Sequence, residues 1–211
     1  MSMRFGRWIG IAGAVVYGVG FFLVSSVPGG GDVDASDFEE FYVEDENTAL
    51  PVIGLFVLTI GALAMLWFFN ELRTAVGTAD AGFGWAAAAL GLAIVVTGAS
   101  ILAGPSGVQA FSDADFVGAP VAHALAQAGF AAMLVPGSLM LGAGVVGLSF
   151  AGRRTGVLVP WVAIVGFVAG ALQLFSFIWI PHFAIPLWVI VAGAAGAAMT
   201  DRSSAATDLV P

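Results

Sequence analysis

The chain has no cysteine and no lysine in its 211 residues, and only two tyrosines and two histidines. Without thiols, disulfides, thiol catalysis and cysteine-held metals or clusters are excluded. Charge is scarce as well. Charged residues make up 9% of the chain, and the long apolar runs contain no Asp, Glu, Lys or Arg. Intramembrane ionisable residues are the usual mark of pumps, proton relays and charged-substrate paths, so their absence argues against those classes. There is also no Walker motif, no dinucleotide fingerprint after a strand, and no basic groove for nucleic acid.

Hydrophobic residues are plentiful: they make up 60% of the chain, and the mean hydropathy is +1.01. A water-soluble domain of that composition could not cover its own surface, whereas lipid-facing helices need no polar cover. Six runs approach the roughly 20 residues that a hydrocarbon core of about 30 Å demands: Trp8 to Val27, Leu50 to Asn70, Gly84 to Ala103, Ala119 to Leu148, Val157 to Trp179 and Phe183 to Thr200. Each is continuous and lacks the alternation of a barrel strand, so helices are expected. The fold class is therefore an all-α polytopic bundle of six spans forming a single membrane domain over residues 1–211, with a short tail at 201–211.

All the positive charge is arginine, and Arg4, Arg7, Arg73, Arg153, Arg154 and Arg202 fall on one side when these runs are threaded back and forth. Basic loops stay cytoplasmic, which places both termini inside and predicts a multi-pass protein of the cell membrane. The first run is longer than a signal-peptide core and is followed by Val27-Pro28-Gly29, a poor cleavage site, so it reads as a retained anchor. The first outer loop, 28–49, carries Asp32, Asp34, Asp37, Glu39, Glu40, Glu44, Asp45 and Glu46; the second carries Asp113 and Asp115. Ser36 and Glu39 have capping-box spacing, predicting a short amphipathic helix from Asp37 with Phe38, Phe41 and Tyr42 on one face. The acidic loop offers a protein partner a surface. Asp32, Asp34 and Asp37 lack the glycine and distal Glu of a calcium loop.

Trp8, Trp85 and Trp161 open alternate runs 77 and 76 residues apart, as three successive hairpins would, although Trp favours membrane interfaces in any case. Gly166 and Gly170 form a GxxxG step, suited to packing inside the bundle or to a homo-oligomer seam. Pro136 removes a backbone donor in the fourth run and predicts a kink that frees the carbonyl near Ala132. Asn70-Glu71-Leu72-Arg73 reads as a helix terminus with a local ion pair.

Few residues can carry chemistry. His123, with Gln127 one turn along on the same face, and His182 map to outer ends of runs, where a ligand, or a metal or haem held between the two rings, is geometrically allowed. The bland alternative is interfacial histidines bonding a loop, and no cofactor is predicted. Ser100 near His123 suggests a Ser-His pair of the intramembrane-protease kind. However, Gly98-Ala99-Ser100-Ile101 lacks the final glycine of the rhomboid G-x-S-G. Tyr17, Thr59, Thr97, Ser138, Gln173 and Ser176 are neutral and can bond neighbouring helices or line a pocket for a hydrophobic solute or lipid.

The Arg-Trp start, the segment Asp37-Phe38-Glu39-Glu40-Phe41-Tyr42, the stretch Trp67-Phe68-Phe69-Asn70-Glu71-Leu72-Arg73 and the closing Pro181-His182-Phe183-Ala184-Ile185-Pro186-Leu187-Trp188 together resemble small six-span bacterial membrane proteins classed as domains of unknown function. The resemblance implies an integral membrane protein and supplies no activity or catalytic residue. Two classes follow from the residues. One is a non-enzymatic membrane protein, either an accessory or sensory subunit or a holder of a hydrophobic ligand. The other is a transporter of neutral or hydrophobic solutes, which a polar cavity between the fourth and sixth runs would favour. A hydrolase using Ser100 and His123 ranks third.

Overall fold

The computed structural model describes residues 3–28, 34–43, 49–111 and 118–207, with side-chain surroundings given for all of these except 3–5, 35, 43, 78, 79 and 196–207. Among the described residues the protein is helical, with no strand. The helices are α1 (Met3–Val24), α2 (Ala35–Val43), α3 (Leu50–Val76), α4 (Thr78–Leu102), α5 (Gly104–Phe111), α6 (Ala119–Ala132), α7 (Ser138–Arg154), α8 (Pro160–Leu172) and α9 (Ala184–Thr207). Five stretches are long and apolar enough to cross a membrane: Gly6–Val24, Leu50–Val76, Asp80–Leu102, Ala119–Arg154 and Pro160–Ile178. The described apolar part of the last helix, Ile180–Ala195, is shorter.

The helices assemble as three antiparallel pairs: α1 with α3, α4 with α6 and α7, and α8 with α9. Trp8, Trp85 and Trp161 each stand near the start of the first helix of a pair. The pairs meet in a ring, α3 against α4, α7 against α8 and α9 against α1.

Glycine makes the first two pairs tight. In α1, Gly6, Gly13 and Gly20 recur every seven residues, and in α4 so do Gly84, Gly91 and Gly98, each 78 residues after its counterpart. Each of these positions faces the partner helix so closely that a β-carbon would overlap it. A seven-residue repeat keeps a seam facing the partner in a left-handed supercoil, and small residues let backbones approach where lipid supplies no hydrophobic drive. The close-packing reading also holds for Gly166, whose face meets Ser149 and Trp188, and for Gly170, which meets Val146 and Gly142. Both are buried against helices of the same chain.

The kink expected at Pro136 takes the form of a π turn, Met133–Gly137, between α6 and α7. A π turn accommodates a missing N–H by passing the bond to the next donor along, and here the Ser138 N–H bonds the Met133 carbonyl.

The short helix α2 starts two residues earlier than the sequence suggested. Asp34, not Ser36, is the cap: its carboxylate accepts the Ser36 N–H at 2.8 Å and the Ser36 hydroxyl, while the Asp34 N–H bonds Asp37 Oδ2 at 2.9 Å. An acidic pair three residues apart performs the reciprocal capping that Ser36 and Glu39 were expected to perform. The amphipathic face is as expected. Phe38, Phe41 and Tyr42 are buried, and Glu39 and Glu40 are exposed. The Ser36 bonds hold the Asp34 carboxyl below its ordinary value. A carboxylate so depressed supports the helix at neutral pH and loses that support as pH falls through its folded value. The Ser36 amide resonance should therefore keep its position from pH 7 to 5 and move only below about pH 4. A midpoint above the ordinary carboxylate range would contradict the cap.

Candidate functional site

Among the described residues His182 is a fully buried polar side chain with a partner on each ring nitrogen. It lies in a 3-10 turn, Ile180–Phe183, that follows a second 3-10 segment, Gln173–Ile178. Between them Trp179 takes φ 75° and ψ −58°, the geometry of a γ-turn with positive φ, which is rare and strained for a bulky residue. The reversal is held by local bonds: the Trp179 N–H to the Ser176 carbonyl at 2.8 Å and the His182 N–H to the Trp179 carbonyl at 3.1 Å. Gln173 donates to the Pro181 carbonyl at 2.7 Å, and the Ser176 hydroxyl donates to the Leu134 carbonyl in the π turn.

The His182 ring is fully buried. Its Nε2 lies 2.8 Å from the Tyr17 hydroxyl and its Nδ1 2.7 Å from Ser138 Oγ. Ser138 Oγ also donates to the Met133 carbonyl at 3.1 Å. That last bond sets the direction of the whole chain. Serine has one hydrogen; spent on the carbonyl, it leaves Oγ to accept from Nδ1–H. Nε2 of the neutral ring is then the acceptor for the Tyr17 hydroxyl. The opposite tautomer would leave the phenol proton without an acceptor in a low-dielectric interior, where an unpaired donor costs about 1–3 kcal/mol. Tyr17, His182, Ser138 and the π-turn carbonyl thus form one fully satisfied relay, with one residue from each helical pair. Phe21 stacks on the imidazole at 4.5 Å between centroids.

This places His182 differently from the sequence reading. Tyr17 lies seven residues, about 10 Å, before the end of α1 at Val24, and the ring that it bonds is enclosed by the bundle and not open to a loop. His123, in the first turns of α6, is stacked on Phe38 of α2 at 5.2 Å and in loose contact with Gln127 at 3.4 Å. The recorded partners of the two histidines share no residue. Among the described residues no three His, Asp or Glu side chains gather as metal ligands. Ser100 is exposed and spends its hydroxyl on the Val96 carbonyl at 2.8 Å, and no recorded contact joins it to His123. Tyr17 and Ser138 were legible only as neutral span residues, since nothing in the sequence pairs positions so far apart.

A second feature lies between α3 and α4. A groove of about 320 Å³ is lined by Thr59, Ala62, Leu63 and Leu66 on one side and by Ala89, Leu92, Ala93 and Val96 on the other. Its one hydroxyl, Thr59, bonds the Leu55 carbonyl at 2.7 Å, leaving a lining with no free polar group.

Comparison of the chain with protein-family models, curated proteins and solved structures returned no match.

Proposed function

We propose that this is a non-enzymatic integral protein of the cell membrane, with six spans and both termini cytoplasmic, that holds a hydrophobic ligand in the groove between α3 and α4. The groove is the observation that carries the reading. It lies midway along two membrane-spanning helices, where the surrounding medium is hydrocarbon. Its lining fits an acyl chain or similar apolar molecule and nothing that needs a hydrogen bond.

The topology follows from charge. Arg7 at the start of α1, Arg73 at the end of α3 and Arg153 and Arg154 at the end of α7 fall at the same end of their antiparallel pairs, as basic residues do on the cytoplasmic face. With that side inside, α9 completes the sixth crossing. The buried relay at His182 speaks for this reading over a transporter, since the space between the fourth and sixth spans is taken up by side chains bonded to one another. Ser100 and His123, each engaged elsewhere, favour a non-enzymatic role.

Filling the groove tests the proposal. Native mass spectrometry should detect bound lipid on the wild-type protein; Ala93→Trp should abolish it while leaving thermal stability within about 1 kcal/mol, since the ring enters existing space. Equal lipid retention by both proteins would sink the reading.

A further inference from the structure

The face of α3 that lines the groove continues past Leu66 to Asn70 and Arg73, four and seven residues on, and the facing side of α4 continues from Ala89 back to Trp85. The Arg73 guanidinium lies over the Trp85 indole, 4.6 Å from the ring centroid. Glu71, the partner expected from the sequence, points instead toward α1, where it packs at Gly6. Arg73 Nε and Trp85 Nε1 are both buried and both without an acceptor, and Asn70 is exposed between them and the groove. Buried donors are normally satisfied, and a pair left open beside an arginine indicates a missing acceptor. Thr59 and Arg73 are fourteen residues apart, about 21 Å along the helix, which is half of a bilayer about 40–45 Å thick.

We infer that the groove and the Arg73–Trp85 corner form one site for an anionic glycerophospholipid of the cytoplasmic leaflet, with an acyl chain between α3 and α4 and the phosphate on the Arg73 guanidinium and Asn70. The inference rests on the hydrophobic-ligand reading above and adds the head group. Charge complementarity selects the occupant. Arginine at the membrane interface presents several donors suited to phosphate, and a zwitterionic lipid brings its own cation to a corner that already holds one.

The test uses the full-length protein in lipid nanodiscs with phosphatidylglycerol or phosphatidylcholine carrying a diazirine in one acyl chain, and maps the labelled peptides. Phosphatidylglycerol should label the peptides containing Leu63 and Ala93 with a preference of about tenfold over phosphatidylcholine, the size of one charge-assisted hydrogen bond. Arg73→Gln should keep the labelling and lose the preference, and Arg73→Lys should restore part of it. Equal labelling by the two lipids in the wild type, or a preference that survives Arg73→Gln, overturns the head-group site and leaves the apolar groove standing. Absence of labelling at the groove with either lipid, or a cross-linked second copy there, overturns both.

Discussion

Replacing His182 with alanine should destabilise the protein by about 4 kcal/mol, more than any other substitution of a polar residue. The ring is fully enclosed, and its removal leaves the Tyr17 hydroxyl without an acceptor, Ser138 Oγ without a donor and a void between three helical pairs. Each orphaned group costs about 1–3 kcal/mol, and a buried large-to-small change adds about 2–5 kcal/mol; incomplete relaxation makes the sum less than additive. Tyr17→Phe removes one bond and no volume, and should cost only about 1 kcal/mol, near the mean for hydrogen bonds between membrane helices. The triple replacement Tyr17→Phe, Ser138→Ala, His182→Phe leaves fewer orphans and should be more stable than His182→Ala alone. Thermal unfolding in detergent followed by tryptophan fluorescence reads all three. A His182→Ala protein within about 0.5 kcal/mol of wild type would show that the ring does not hold the pairs together.

The second large effect lies at the seam of α1 and α3. A β-carbon at Gly20 would stand 2.2 Å from the Leu58 nitrogen, and one at Gly61 would stand 2.3 Å from the Tyr17 nitrogen. Both obstacles are backbone, so no rotamer change relieves them and the helices must part. Gly20→Ala and Gly61→Ala should each cost upwards of about 3 kcal/mol, the upper range for overpacking. Gly61→Ala should also be sub-additive with Tyr17→Phe, because it displaces the residue that bonds His182. Gly18→Ala and Gly82→Ala meet nothing within 4 Å and should be neutral or stabilising by up to about 1 kcal/mol. If all four substitutions behave alike in the same unfolding assay, helix propensity and not close approach governs these sites.

The helices were legible because hydropathy is local: a run of apolar residues announces itself whatever it packs against. Five of the stretches matched apolar helical stretches, with ends up to six residues short at Val76 and Arg154, and the amphipathic face of α2 followed from the spacing of Phe38, Phe41 and Tyr42. The seven-residue glycine spacing was equally visible in α1 and α4, yet it carries meaning only once antiparallel partners are assigned. What stayed hidden depended on distant pairing. Ser138 and His182 are 44 residues apart and Tyr17 and His182 are 165 apart, and although Pro181 marks a turn before the last run, nothing local shows that the turn carries His182 inward. In α3 and α4, residues that line the groove have the same composition as residues that face lipid, so a ligand site and a bare surface read alike.

The relay also imposes an order on biogenesis. Tyr17, Ser138 and His182 leave the ribosome in that sequence, and the first two pairs can zip along their glycine seams before the third exists. Until residue 182 arrives, Tyr17 holds an unused proton and the Ser138 oxygen an unused lone pair, both facing the gap that α8 and α9 will fill. Arrival of the last pair therefore completes the bonding of the first, and a chain without it keeps both groups unsatisfied.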